Sequence, residues 1–165
     1  MVTNELVLDS FDRINQIVHR TVEGLSIEEL SFRPNNTANS ITWLVWHIAR
    51  VQDSQLSGLA NTGQIWEKDW FDKFKLPLDV KETGYGHTSE KVASIKVEST
   101  LLLGYLDDVY NISREFIQKL QEVDYDKIVD KNWTPPVTLS ARLVSTISDC
   151  LQHAGQAAYI KGLLS

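Results

Sequence analysis

Apolar residues recur along this chain at steps of three and four, the period of one helix face, in four long stretches. The first predicted helix runs from about Thr3 to Gly24, with Val7, Phe11, Ile14, Val18, Val22 and Leu25 as its stripe and Gly24 as its stop. In the following "SIEELSFRP", Ser26 and Glu29 have capping-box spacing, so a short helix starts there and ends before Pro34; "NNTANS" is a turn cluster. The second long helix is capped by Asn39 or Ser40 and continues through "ITWLVWHIARVQDSQLSGL". Ile41, Leu44, Val45, Ile48, Val51 and Leu59 mark its buried side, and Gly58 and Gly63 bracket its end. The third spans about Ser89 to Gln121, with Val92, Ile95, Leu102, Leu106, Val109, Phe116 and Leu120 inward. Gly104 weakens it by about 1 kcal/mol relative to alanine, which predicts a close helix contact at that point. The fourth follows "TPPVT", is capped by Thr138 and carries Leu139, Leu143, Val144, Ile147, Leu151, Ala154, Ala158 and Leu163. No stretch reads as a strand; Ile128 and Val129 lie in turn-rich sequence.

Four amphipathic helices of this length bury their stripes most economically as an all-α four-helix bundle, a single domain over residues 1–165. The connection from Ala60 to Thr88 is long enough to return the chain to the other end of the bundle, so the second and third helices are expected to run parallel. It holds Trp66, Trp70, Phe71, Phe74 and Tyr85, too many aromatic rings for a solvated linker, and is expected to roof one end of the bundle. A small bundle offers limited surface for five such rings, an argument for a homodimer.

Composition narrows the function classes. The 165 residues are 42% hydrophobic and 23% charged, ordinary for a globular chain. A net charge of −6 provides no basic field for phosphates, so nucleic acid is not expected as a partner. No run approaches the roughly 18 apolar residues of a membrane span, and "MVTNELVLDSFDRI" lacks the basic and apolar regions of a signal peptide. The single cysteine, Cys150, excludes an intrachain disulfide; together these features fit a cytoplasmic protein.

The chemistry gathers on the second and fourth helices. Asp149 and His153 are four positions apart, on one helix face. Taken alone they fit an ordinary helix pair, and His47 in its apolar segment fits a hydrogen-bonded core histidine. Taken together they have the geometry of a metal site in a bundle core, with two ligands one turn apart and a third on a facing helix. Two imidazoles and one carboxylate leave coordination positions open, as in a catalytic centre, and suit iron(II) as well as zinc or nickel. His19, at the edge of the first stripe, reads as a surface residue, whereas His87 could turn inward from its Gly-flanked loop toward a cleft. Trp43 and Arg50 flank His47 at −4 and +3. Arg50 could pair with Asp149 or an anionic substrate, or could extend to the surface. Gln156 could orient a ligand, Tyr159 and Trp133 could line a pocket, and Cys150 projects away as a small apolar residue.

"NSITWLVWHIARVQDSQLSGL", followed far downstream by "DCLQHAGQAAYIKGLL", resembles the DinB/YfiT-like superfamily, particularly its DUF664-type members, and the resemblance extends over nearly the whole chain, "SIEELSFRP" included. It implies an up-down-down-up four-helix bundle that binds a divalent metal, zinc or nickel among them, through a histidine of the second helix and an HxxxH of the last. Those positions are His47, Asp149 and His153 here, with aspartate where the family has histidine. The resemblance also implies homodimers and small-molecule substrates. The superfamily includes S-transferases using low-molecular-weight thiols such as bacillithiol or mycothiol, and a thiol-dependent maleylpyruvate isomerase. The expected function is thus a metal-dependent thiol S-transferase, with a metal-dependent hydrolase and a non-catalytic binding or stress-response protein as the alternatives.

Overall fold

The computed structural model describes residues 2–164. Its elements are mostly helical. Helix α1 (Val2–Val22) is followed by the short α2 (Ile27–Ser31), in which Ser26 and Glu29 form the reciprocal capping box. Helix α3 (Ile41–Ala60) is capped by Ser40, whose hydroxyl accepts from the Trp43 N–H at 3.1 Å, and ends at Asn61 in the left-handed conformation. The connection contains a π-helical turn at Trp66–Trp70 that runs into α4 (Phe71–Phe74). Then come α5 (Ser89–Ser94), α6 (Ser99–Gln118), a 3-10 turn at Glu122–Asp124, strands β1 (Ile128–Asp130) and β2 (Val137–Thr138), and α7 (Leu139–Leu163).

Three elements differ from the sequence reading. On α7 the expected Val144, Leu151, Ala158 and Leu163 are exposed, and Thr146, Cys150, Ala157 and Ile160 take the inner face beside Leu143 and Ala154, because the facing helices meet that side. The third predicted helix is broken into α5 and α6 by Ile95–Glu98. There burial alternates, with Ile95 and Val97 inward and Lys96 and Glu98 outward, a period of two that two β-branched residues favour in extended backbone. A small antiparallel ribbon also forms, pairing Ile128 with Thr138. Thr138 serves both as its last residue and as the cap of α7, accepting from the Ala141 N–H at 3.2 Å.

The four long helices enclose the core, α1 and α3 each packing against both α6 and α7. Cross-helix contacts give their directions. Asn4, at the start of α1, donates to the Leu120 carbonyl beyond the end of α6, and Lys161, near the end of α7, donates to the Arg20 carbonyl near the end of α1. Cys150 Sγ lies 3.8 Å from the Ile48 carbonyl, and Arg142 reaches Gln55, so α3 and α7 run antiparallel.

Helix α3 is buried all round, polar residues included, from Ile41 through Asp53. The cause is the connection, which covers the side that α6 and α7 leave open. Trp66, Trp70 and Phe74 are buried and meet Tyr105 of α6 with ring centroids 5.2, 5.7 and 5.8 Å away. Gly104 makes room for this packing, because a β-carbon there would lie 2.8 Å from the Trp70 ring. The close contact expected at Gly104 is therefore with the π-helical turn of the connection and not with another of the long helices. Since these rings find cover within their own chain, they give no reason for a second subunit. Tyr85 alone of the five is exposed, at 61%.

Candidate metal centre

His47 leaves α3 in a fully apolar stretch and is 1% exposed. Its Nδ1 lies 2.5 Å from the Thr83 carbonyl, which can only accept, so the ring proton sits on Nδ1 and the Nε2 lone pair is free. That lone pair meets α7. Nε2 is 3.7 Å from one Asp149 oxygen, and His153 Nε2 is 3.7 Å from the other. Ligand atoms of the three residues all lie within 4.8 Å of one another. His153 is polarised in the same way as His47, with Nδ1 2.9 Å from Gln156 Oε1. Asp149 Oδ2 is buried without a hydrogen-bond partner among the described residues.

These features fit a divalent ion. Separations of 3.7 Å are too long for hydrogen bonds but suit donors gathered around a common centre at about 2 Å from each. Both imidazoles present Nε2 while a second contact occupies Nδ1, which is how metal-binding histidines are oriented. Burial pushes the His47 imidazole below its ordinary value; the Thr83 bond opposes this and His153 adds to the lowering. The ring is neutral near pH 7, the form that binds metal.

The surrounding rings hold this arrangement. Trp43 stacks on His47 with centroids 4.6 Å apart and meets His153 edge-on at 6.0 Å. Its indole N–H donates to His87 Nδ1 at 3.1 Å, while His87 Nε2 faces the Glu82 carboxylate at 2.9 Å. His87 Nδ1 is thus taken by Trp43 and its Nε2 lies beside Glu82 without an aligned hydrogen bond, so His87 orients Trp43 and does not join the triad. Tyr85 stands edge-on to His47 at 5.0 Å. A cavity of about 610 Å³ adjoins Gln156, with Leu44, Tyr159 and Ile160 among its walls.

Arg50 takes a place that its sequence neighbours do not suggest. It is neither at the surface nor paired with Asp149. At 0% exposure it donates from Nε to the Glu82 carbonyl at 3.0 Å and from Nη1 to Gln64 at 2.9 Å, and it lies 3.8 Å from Asp53. The connection covers that side of α3, so the guanidinium is satisfied by loop groups. Trp133 is 66% exposed and lies on the loop between β1 and β2. His19 bridges helices through Asp107 of α6 at 2.7 Å. Cys150 is buried, and burial pushes its thiol far above the ordinary range.

Thr83, Gly84 and Glu82 escaped the sequence reading. Gly84 has φ +108°, and a β-carbon on it would lie 2.5 Å from His47 Nδ1. Only glycine allows the backbone to close on the imidazole there. The "GYGH" run was a visible signal for a tight loop, but nothing local linked it to His47. Gly84→Ala is expected to tilt His47 and weaken metal binding about 10- to 100-fold, the range for groups that orient a ligand; a competition titration against a chelator measures it. An unchanged affinity would show that the loop does not set the ring.

A second expectation concerns pH. Burial lowers His87 as well as His47, against the pull of Glu82 on His87. Both rings bind a proton more weakly folded than unfolded. The stability they permit is therefore complete above their unfolded value of about 6.5 and is lost as pH falls below it, through the folded pKa. His19 has the opposite sign. Burial pushes it down, but bonds to Asp107 and Glu23 prevail and raise it, so its contribution is present below about 6.5 and is lost as pH rises through the folded pKa. Through His47 and His87 the metal-free protein should lose urea resistance between about pH 7 and pH 5, and the loss should steepen in His19→Gln, which removes the opposing group. A flat profile in His19→Gln would mean that His47 and His87 take up protons freely in the folded state.

A mostly helical core carrying a two-histidine, one-carboxylate triad agrees with the resemblance to the DinB/YfiT-like superfamily. A family model described as mycothiol-S-transferase matches residues 6–165, and the chain belongs to that family. A solved structure described as a conserved protein of locus from Enterococcus faecalis superposes with a TM-score of 0.89 and 34% sequence identity, covering 95% of this chain and 94% of that one. No curated protein matches the sequence.

Proposed function

We propose that the protein is an up-down-down-up four-helix bundle that works as a metal-dependent S-transferase for a low-molecular-weight thiol, with His47, Asp149 and His153 as ligands. The helix directions support the topology: α1 runs antiparallel to α6 and parallel to α7, and α3 runs antiparallel to α7. One observation carries the site: three ligand atoms converge within 4.8 Å with the Asp149 oxygen left unpartnered. A divalent ion held there would supply Lewis acidity, lowering the pKa of a thiol and orienting it. Thr83 and Gln156 keep the Nε2 lone pairs pointed at the centre. Trp43 covers one face of His47 and limits water on that side.

An S-transferase activity of this chain would need an external thiol. Its single cysteine is fully buried, with the thiol held in its protonated form by burial. No thiolate of the protein is available at the triad, so an S-transferase built this way takes its sulfur from a small molecule. The family description points the same way.

The test has two parts. Protein purified without a histidine tag is analysed for bound metal, and its consumption of a fluorogenic alkyl halide is followed with mycothiol, bacillithiol or no thiol. Metal-dependent and thiol-dependent turnover is the expected result. Metal-dependent cleavage of ester substrates without any thiol would move the reading to a hydrolase. Metal without turnover would favour a binding protein, and absence of metal after reconstitution would end the proposal.

A further inference from the structure

Beside the triad lies a polar cavity of about 70 Å³, walled by Gln55, Tyr85, Arg142, Ser145 and Thr146 around Asp149. Since liquid water occupies roughly 30 Å³ per molecule, the space holds about two waters or one carboxylate group. Arg142, Ser145, Thr146 and Asp149 follow helical spacing along one side of α7, so the cavity continues the row that ends in the ligand.

Its walls are rich in donors. Arg142 uses one N–H on Asp130 at 2.8 Å and another on Gln55 Oε1, which leaves three of the five guanidinium N–H groups. Gln55 accepts that bond through its oxygen and keeps its amide NH₂ free to donate. The hydroxyls of Ser145 and Tyr85 make no hydrogen bond among the described residues. The one carboxylate in the wall is Asp149, a proposed ligand. A pocket that offers N–H and O–H groups, next to a centre whose ion would offset Asp149, is suited to an anion.

We propose that this cavity seats a carboxylate carried by the thiol, so that the protein selects acidic thiols over neutral ones through Arg142. This rests on the metal-and-thiol reading of the triad. The experiment loads the full chain with cobalt(II) and titrates it with mercaptopropionate and with mercaptoethanol, reading the sulfur-to-cobalt charge-transfer absorption. Wild-type protein is expected to bind the acidic thiol about tenfold more tightly than the neutral one. Arg142→Gln should reduce that preference about tenfold, as for loss of a charge-assisted hydrogen bond, and Arg142→Lys should restore part of it. Cobalt content and mercaptoethanol affinity report on the triad separately, and Tyr85→Phe provides a second variant should Arg142→Gln fail to fold.

If both thiols bind the variants and wild type with one unchanged ratio, the carboxylate seat is wrong while the metal reading stands. A preference that survives in Arg142→Gln would mean that the carboxylate chelates the metal directly, which also overturns the seat. If cobalt binds but no charge-transfer band appears with either thiol, the thiol reading falls and takes the seat with it.

Discussion

His47→Ala is expected to abolish stable binding of a divalent metal, with an affinity loss of at least about 100-fold, at or beyond the limit seen when only an orienting contact is removed. Of the three proposed ligands, His47 alone comes from α3; Asp149 and His153 both come from α7. Two ligands on one helix would form a weak, half-buried pair, and the third would close the face. Because His47 is buried, alanine also leaves a cavity, so His47→Gln is the better control for volume. Calorimetric titration with zinc, nickel and iron(II) measures the loss. Asp149→His is expected to act differently, retaining metal but shifting preference from iron(II) toward zinc or nickel, since a carboxylate is the harder ligand. Equal metal content in wild type and both His47 variants would remove the triad as the metal site.

Asp53→Ala is expected to destabilise the protein by about 3–5 kcal/mol, a large part of the 5–15 kcal/mol typical of a domain. Asp53 accepts from the Trp66 backbone N–H at 2.9 Å, from Ile65 at 3.3 Å and from the Tyr105 hydroxyl at 2.9 Å. Burial pushes its carboxyl above the ordinary range even though these bonds and Arg50 pull it down. Alanine would leave those donors unpaired and strand the buried Arg50 guanidinium, which also lies 5.0 Å over the Trp66 ring. Replacing both charges, Arg50→Met with Asp53→Leu, should recover much of the loss, because a missing partner costs more than a missing pair. Urea unfolding of the single and double variants checks this. A loss below about 1 kcal/mol for Asp53→Ala would mean that the connection is held by its aromatic rings alone.

The helices and their caps were legible because they are local. Ser26 with Glu29, Ser40 and Thr138 cap the elements that follow, and apolar spacing marked the inner faces of α1 and α6, whereas on α7 Val144, Leu151, Ala158 and Leu163 of the expected stripe are exposed and Thr146, Cys150, Ala157 and Ile160 point inward. The break at Ile95–Glu98 was written in the same code, as a change of period from four to two, but the apolar residues on either side also fitted one continuous stripe. The pairing of Asp149 with His153 was local too, one turn apart on α7. What the sequence by itself determined is therefore what neighbours within a few positions set: most of the helices, their caps and the inner faces of α1 and α6.

The rest depended on which surfaces meet. Nothing near Arg50 signals burial, since its environment is made by Gln64, Glu82 and Tyr105, brought over α3 by the folded connection. The bond from His47 to the Thr83 carbonyl spans 36 positions, and it exists because Gly84 lets the backbone approach the ring. Only the tertiary structure decided which nitrogen of His47 is free, that His87 turns to Trp43, and that His47 faces Asp149 across the α3–α7 contact. Side-chain direction in a packed interior is set by the elements that close around it, and those elements lie far away along the chain.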